Sequence, residues 1–121
     1  MADLLLIRHG EPETTGVFLG QLDLPLSALG RRQAAALLVE QSYQVVYASP
    51  LRRAQDTAAA LGRPVRTLAG LAEIHYGPWE GLSWAEIECR FPDEARRKMD
   101  DWLGYTVPGA EPWEAFRARV L

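Results

Sequence analysis

Short apolar runs alternate with amphipathic stretches along this chain. The run at residues 4–7 is unbroken and ends at Arg8, a pattern typical of a strand buried on both faces. Residues 43–48 are β-branched and aromatic and predict a second strand, and residues 64–68 predict a weaker third one. The hydrophobic pattern therefore predicts three short strands.

Amphipathic segments lie between and after these strands. Ser27 is a candidate N-cap for a helix over about residues 28–40. Ser49 and Pro50 are expected to cap and begin a second helix, which Gly62 ends and whose inner face carries Leu51, Ala54, Ala58 and Leu61. Pro92 separates two later helices, and the predicted helical segments in this part are residues 83–90, 93–102 and 113–121.

The order strand, helix, strand, helix, strand predicts an α/β fold with three layers, in which helices cover both faces of a mostly parallel sheet. Residues 11–26 form a long predicted loop, and residues 71–81 are too irregular for a regular element. A length of 121 residues favours a single domain over residues 1–121. Because the last helical segment reaches Leu121 without a cap or a return to the sheet, we expect this domain to be incomplete at its C-terminus.

The charge balance narrows the classes of protein. With 13 Lys+Arg and 16 Asp+Glu, the formal net charge is 13 − 16 = −3, which argues against a nucleic-acid partner. No apolar run is long enough to span a membrane. The first apolar run is too short for a signal peptide, because the charged Arg8 follows it directly. The single Cys89 excludes an internal disulfide and a multi-cysteine zinc site. These features predict a soluble protein of a reducing, cytoplasmic compartment.

Chemically suggestive residues follow each predicted strand. Arg8 and His9 follow the first strand, Arg52 and Arg53 open the helix after the second, and Glu73 lies beyond the third. Ligands of parallel α/β sheets bind at these carboxyl ends. A guanidinium fork matches phosphate oxygens, and the amino end of a helix adds backbone donors. The coincidence at three strand ends predicts a phosphate site.

The same residues also define a reaction. Neighbouring positive charges favour a neutral His9 imidazole, which can attack phosphorus and form phosphohistidine. Glu73 can supply the proton that the leaving alkoxide needs, so the chemistry requires no metal and no cofactor. Taken singly, each residue also has a structural interpretation: a packed histidine, a solvated arginine pair or a surface glutamate.

Three segments resemble the motifs of the histidine phosphatase superfamily, also called phosphoglycerate mutase-like proteins. They are residues 6–11 (LIRHGE), 49–58 (SPLRRAQDTA) and 73–81 (EIHYGPWEG), and the pattern of residues 20–34 is also similar. The resemblance implies the phosphoglycerate mutase-like fold.

By position, the resemblance implies that His9 is the phosphorylated nucleophile and that Arg8 and Arg53 bind the phosphoryl group, while Arg52 falls on a variable position. Glu73 matches the proton donor, and Thr15 lies where many members place an asparagine on the phosphate. The family also has a second active-site histidine on a later strand. Because His9 and His75 are the only histidines and His75 belongs to the third motif, we expect the chain to be an amino-terminal portion.

The function expected from this resemblance is metal-independent hydrolysis of a small phosphorylated substrate. Residues 20–26 and 108–113 look most like those of α-ribazole-5′-phosphate phosphatases of cobalamin synthesis. Alternatives are a broad-specificity phosphatase, a phosphoglycerate mutase-like enzyme, or a catalytically incompetent phosphate-binding or regulatory domain. An exposed strand edge would favour a homodimer.

Overall fold

The computed structural model describes residues 4–37 and 45–121. This part of the chain contains five α-helices, two β-strands and two 3₁₀ turns. The helices are α1 (Ala28–Ala35), α2 (Arg52–Ala59), α3 (Trp84–Arg90), α4 (Pro92–Asp100) and α5 (Trp113–Val120). The strands are β1 (Val46–Ala48) and β2 (Val65–Thr67), and the 3₁₀ turns lie at Ala69–Leu71 and Gly77–Trp79.

The two strands pair in parallel, as the order of elements predicts. Val46 lies opposite Val65 and Ala48 opposite Thr67, with α2 as the connection. Both strands fall inside predicted strands, although Tyr43 and Gln44 lie outside the described residues. Their carboxyl ends lead into α2 on one side and into the segment before Glu73 on the other, which brings distant parts of the chain to one edge of the sheet.

Local capping explains where two of the helices begin. The Ser27 side chain accepts a hydrogen bond from the Gly30 N–H at 3.0 Å, so Ser27 is the predicted N-cap of α1. Ser83 and Glu86 form a reciprocal capping box at the start of α3. Helix α1 ends at Ala35, and residues 38–40 of the longer predicted helix lie outside the described residues.

The start and inner face of α2 differ from the prediction. Leu51 has extended backbone angles (φ −71°, ψ 144°), so the helix begins at Arg52 and Pro50 is not its first residue. The buried residues of α2 are Arg53, Thr57 and Ala58. Of the predicted inner face, Ala58 is buried as expected, whereas Leu51, Ala54 and Leu61 are only partly buried. The buried face also includes Arg53, because the loop carbonyls of Leu22 and Gly20 accept hydrogen bonds from its guanidinium. Pro92, in contrast to Pro50, is the first residue of its helix: it begins α4 and also separates α4 from α3.

The prediction that residues 4–7 form a doubly buried strand is also wrong. This segment has no regular structure, and Leu4 and Leu6 are 85% and 83% exposed. A strand needs a neighbour for its backbone hydrogen bonds and layers over both faces, and the described residues place neither beside this run. Its apolar composition alone does not bury it.

The main apolar cluster lies in the second half of the chain. Trp79, Ile87, Ala95 and Val107 are buried together, and aromatic rings including Phe18 and Tyr76 pack around them. The Phe18 ring meets the Tyr76 ring edge-on at 5.0 Å between centroids. This cluster therefore anchors Tyr76 and the third motif. No helix in the described ranges is long and apolar enough to cross a membrane.

Candidate active site

All the predicted site residues line one cavity of about 320 Å³. They are Arg8, His9, Thr15, Arg53 and Glu73. A neighbouring cavity of about 430 Å³ is also lined by Arg8, His9 and Thr15. Three separate segments of sequence thus meet at one place, as the motif positions predicted.

His9 is half-buried and its ring orientation is set by its own backbone. Its Nδ1 lies 2.7 Å from the carbonyl oxygen of Gly10. A carbonyl can only accept, so Nδ1 carries the proton and donates this hydrogen bond. In the neutral imidazole, Nε2 then keeps its lone pair. The geometry therefore selects the tautomer in which Nε2 is the nucleophilic atom.

The backbone beside His9 is held by both of the first two helices. The Gly10 N–H donates to Thr57 Oγ1 at 2.9 Å, and the Thr57 hydroxyl donates to the carbonyl of Arg53 at 2.7 Å. From the other side, Gly30 in α1 approaches so closely that a Cβ on Gly10 would lie 2.7 Å from its carbonyl oxygen. Sequence reasoning missed Thr57, although it lies four residues after Arg53 on the same helical face.

We expect Thr57→Val to destabilise the protein by about 1–3 kcal/mol, because valine keeps the shape but leaves the buried Gly10 N–H without an acceptor. Urea denaturation measures this loss. Thr67→Val in β2 is the matched control, because the exposed Thr67 hydroxyl accepts a hydrogen bond from Gln55 Nε2 that water can replace. It should change the free energy of unfolding by less than about 0.5 kcal/mol. A Thr57→Val protein as stable as its parent would contradict the proposed role of this hydroxyl.

Arg53 is a buried cation with partners on the long loop. Its side chain is in the first turn of α2, and the residue is only 3% exposed. Nη1 donates to the carbonyl of Leu22 at 3.0 Å and Nη2 to that of Gly20 at 2.6 Å. Burial lowers the pKa of Arg53, and nearby carboxylates, above all Glu73, oppose that shift. The guanidinium stays charged and retains further N–H donors for an anion.

The neighbouring Arg52 has a different environment. Its side chain is exposed and does not line the cavity, while its backbone N–H donates to Asp23 Oδ1 at 2.6 Å. The structure thus separates the two adjacent arginines as the motif comparison did. Arg8 and Thr15 are exposed at the cavity rim.

Glu73 also lines the cavity and is exposed, and its Oε1 accepts from the N–H of Ile74 at 2.9 Å. Tyr76 also lines the cavity, although nothing in the motif positions pointed to it. Burial, and then the charge of Glu73, raises the pKa of Tyr76, so its phenol stays protonated and can donate to a ligand.

His75 lies outside this lining, with Nε2 3.5 Å from Glu80 Oε2. That position agrees with a structural role for His75. Within residues 4–37 and 45–121, no group of three or more His, Cys, Asp or Glu side chains is placed to hold a metal ion.

The parallel strands, the crossover helix and the His–Arg cavity are those of a phosphoglycerate mutase-like protein. The family profile described as histidine phosphatase superfamily (branch 1) matches residues 4–121, and the chain belongs to this family. The expected fold class and the expected family are both confirmed.

Solved structures and curated proteins support this assignment. A crystal structure of a putative α-ribazole-5′-P phosphatase from Escherichia coli superimposes with a TM-score of 0.85 at 31% identity, covering 93% of this chain and 60% of that one. Glucosyl-3-phosphoglycerate phosphatase of Mycolicibacterium vanbaalenii is 38% identical over 81% of this chain and 48% of its own length. Phosphoserine phosphatase 1 of Hydrogenobacter thermophilus is 34% identical over 99% of this chain and 61% of its own length. The chain thus spans about half to three-fifths of these relatives.

Proposed function

We propose that the protein hydrolyses phosphomonoesters through a phosphohistidine intermediate. The observation that carries this proposal is the single cavity that gathers His9, two arginines and Glu73, with the His9 tautomer selected by the Gly10 carbonyl. A neutral nucleophile, cationic phosphate ligands and a carboxyl group are the parts that this reaction needs.

In the first step, His9 Nε2 attacks phosphorus and the bond between phosphorus and the ester oxygen breaks. Arg8 and Arg53 stabilise the charge that spreads over the phosphoryl oxygens. The Glu73 carboxyl group, which must carry a proton when this bond breaks, gives that proton to the leaving oxygen, so an alcohol departs. The Gly10 carbonyl stabilises the positive charge of the phosphorylated ring through Nδ1–H.

In the second step, the Glu73 carboxylate takes a proton from water while the water oxygen attacks phosphorus. The bond between phosphorus and Nε2 breaks, inorganic phosphate leaves, and His9 and protonated Glu73 are restored. The two steps balance without a metal or a cofactor. Thr15 contributes a hydroxyl at the rim for a phosphoryl oxygen.

For the substrate we propose a small phosphorylated alcohol, with α-ribazole 5′-phosphate as the first candidate. The support is the likeness to structures described as α-ribazole phosphatases of Escherichia coli and Shigella flexneri. The names of other relatives make glucosyl-3-phosphoglycerate and phosphoserine the next candidates. We expect the protonated Tyr76 phenol, which lines the cavity, to hydrogen-bond the alcohol portion of such a substrate.

The acid role of Glu73 predicts a dependence on the leaving group. We expect Glu73→Gln in the full-length protein to lower kcat/KM about 10²-fold for an alkyl phosphate such as α-ribazole 5′-phosphate or phosphoserine. For p-nitrophenyl phosphate, whose leaving group needs no proton, the loss should be less than about threefold. Steady-state kinetics on both ester types measures the difference.

Glu88→Gln is the matched control, because Glu88 is an exposed carboxylate of α3 outside the cavity. This substitution should leave kcat/KM unchanged for both ester types. Equal slowing of the two esters by Glu73→Gln would remove Glu73 from the acid role.

A further inference from the structure

The segment that carries Glu73 is tied to α5 by one arginine. Arg119 Nη1 donates to the carbonyls of Gly70 and Ala72 at 2.8 and 2.7 Å, and its Nη2 donates to the carbonyl of Glu73 at 3.0 Å. A single guanidinium therefore binds the backbone of the candidate acid and of the residues just before it.

The remaining donors of this guanidinium are taken by Glu111. Arg119 Nε donates to Oε2 and Nη2 to Oε1, both at 2.8 Å. The hydrogen bonds from Arg119 lower the pKa of Glu111, which is therefore ionised at neutral pH. Every N–H group of Arg119 has an acceptor, so this arginine has none left for a phosphate. Its contacts point to a positional role.

Glu111 extends the same network past Glu73. Its Oε1 accepts from the backbone N–H of His75 at 3.2 Å, and its own N–H donates to the His75 carbonyl at 2.8 Å. The backbone from Gly70 to His75 is thus held on both sides of Glu73. The two charged side chains are only 24% and 17% exposed, which strengthens their hydrogen bonds relative to those of surface pairs.

Close packing around Arg119 restricts the position of its guanidinium group. A Cβ on Gly70 would lie 2.5 Å from the Arg119 carbonyl oxygen, so α5 and this segment meet backbone to backbone. The Arg119 guanidinium carbon also lies 4.9 Å from the centre of the Phe116 ring. Both contacts restrict where the guanidinium can sit.

The side chain of Glu73 is held far less than its backbone. Among the described residues, its carboxylate accepts only the N–H of the adjacent Ile74, and the residue is exposed. The position of this carboxylate at the cavity therefore depends on where its backbone is fixed. A misplacement of about 1 Å of a reacting group can cost about 10²-fold in rate.

We propose that Arg119, braced by Glu111, is a positioning residue that sets the place of the Glu73 carboxyl in the site. This inference rests on the proposed phosphatase function. It assigns to α5, which supplies no residue of the cavity lining, a selective effect on the proton-transfer step.

The test is Arg119→Lys in the full-length protein, assayed on an alkyl phosphate and on p-nitrophenyl phosphate. Lysine keeps the charge but cannot reproduce the planar fork that reaches three carbonyls and a carboxylate. We expect kcat/KM to fall about 30-fold for the alkyl ester and less than about threefold for the aryl ester. In a Glu73→Gln background, Arg119→Lys should lower kcat/KM for the alkyl ester by less than about a further twofold.

Arg117→Lys is the matched control, because Arg117 is an exposed arginine of α5 whose Nη1 lies 3.9 Å from Glu114 Oε2. This substitution should leave kcat/KM unchanged for both esters. Equal slowing of both esters by Arg119→Lys, or a slowing that persists in the Glu73→Gln background, would overturn the proposal and leave a purely structural arginine.

If Arg119→Lys fails to fold by circular dichroism, Glu111→Gln decides the matter with the same assays. It keeps the carbonyl contacts of Arg119 and removes one charge, so we expect a smaller loss, about fivefold, confined to the alkyl ester. An unselective loss counts against the proposal. Failure of the proposed phosphatase mechanism would give a different result. In that case Glu73→Gln by itself would lower kcat/KM equally for the alkyl and the aryl ester, or for neither.

Discussion

Replacing His9 with alanine is expected to lower kcat of the full-length protein by at least about 10⁴-fold, because the group that forms the covalent intermediate is gone. Radiolabelled substrate should also leave no trapped phosphate on the variant. On the parent protein, the trapped phosphate should be acid-labile and base-stable, as expected for a phosphorus–nitrogen bond. Quench and filter-binding assays measure both properties.

The second histidine of the chain provides the control. The His75 side chain is 41% exposed, its Nε2 lies 3.5 Å from Glu80 Oε2, and it is not among the residues that line the cavity. His75→Asn should therefore retain phosphoenzyme formation, and its rate should stay within about threefold of the parent. Full turnover by His9→Ala, or acid-stable and base-labile labelling of the parent, would exclude His9 as the nucleophile. Phosphate binding without turnover by the parent itself would favour a binding or regulatory domain.

Arg53→Met is expected to lower kcat/KM by about 10³-fold, since it removes a buried cation that stabilises the transferring phosphoryl group. Methionine fills a similar volume, but the carbonyls of Gly20 and Leu22 lose their donors, which should also cost about 1–3 kcal/mol of unfolding free energy. Phosphate inhibition constants, measured below the melting transition, separate the loss of anion binding from the loss of stability.

The adjacent arginine is the matched control for this change. Arg52→Met removes the same charge from an exposed position outside the cavity and should alter kcat/KM by less than about threefold. If the two variants behave alike, long-range charge and not a specific contact accounts for the effect, and the assignment of Arg53 as a phosphate ligand fails.

Local signals predicted much of the architecture. Ser27 caps α1 as expected, because an N-cap depends on one side chain and the N–H groups two or three residues later. Helix α3 lies within the predicted helical segment 83–90 for the same local reason. Strands β1 and β2 also lie within predicted strands, since β-branched residues next to turn residues act over the same short range. The motif positions of His9, Arg53 and Glu73 also predicted the residues that line the cavity, although no strand precedes His9 in the described part of the chain.

Other features depend on partners far away in sequence. The start of α2 shifted to Arg52 because the backbone of Leu51 is extended, and no rule based on Ser49 and Pro50 alone reports that angle. Residues 4–7 are apolar, but apolarity specifies a preference for burial and does not provide the strands and helices that would cover them. The role of Thr57 likewise needs Gly10, which is 47 residues away.

The sequence by itself determined the kinds of groups available and the order in which short elements present them, because caps, turns and periodicity act over a few residues. Only the tertiary structure decided which arginine is buried, which ring nitrogen of His9 carries the proton, and that Arg119 binds the backbone of Glu73. These outcomes depend on carbonyls and carboxylates contributed by distant segments. These carbonyls and carboxylates come close to their partners only when the chain has folded.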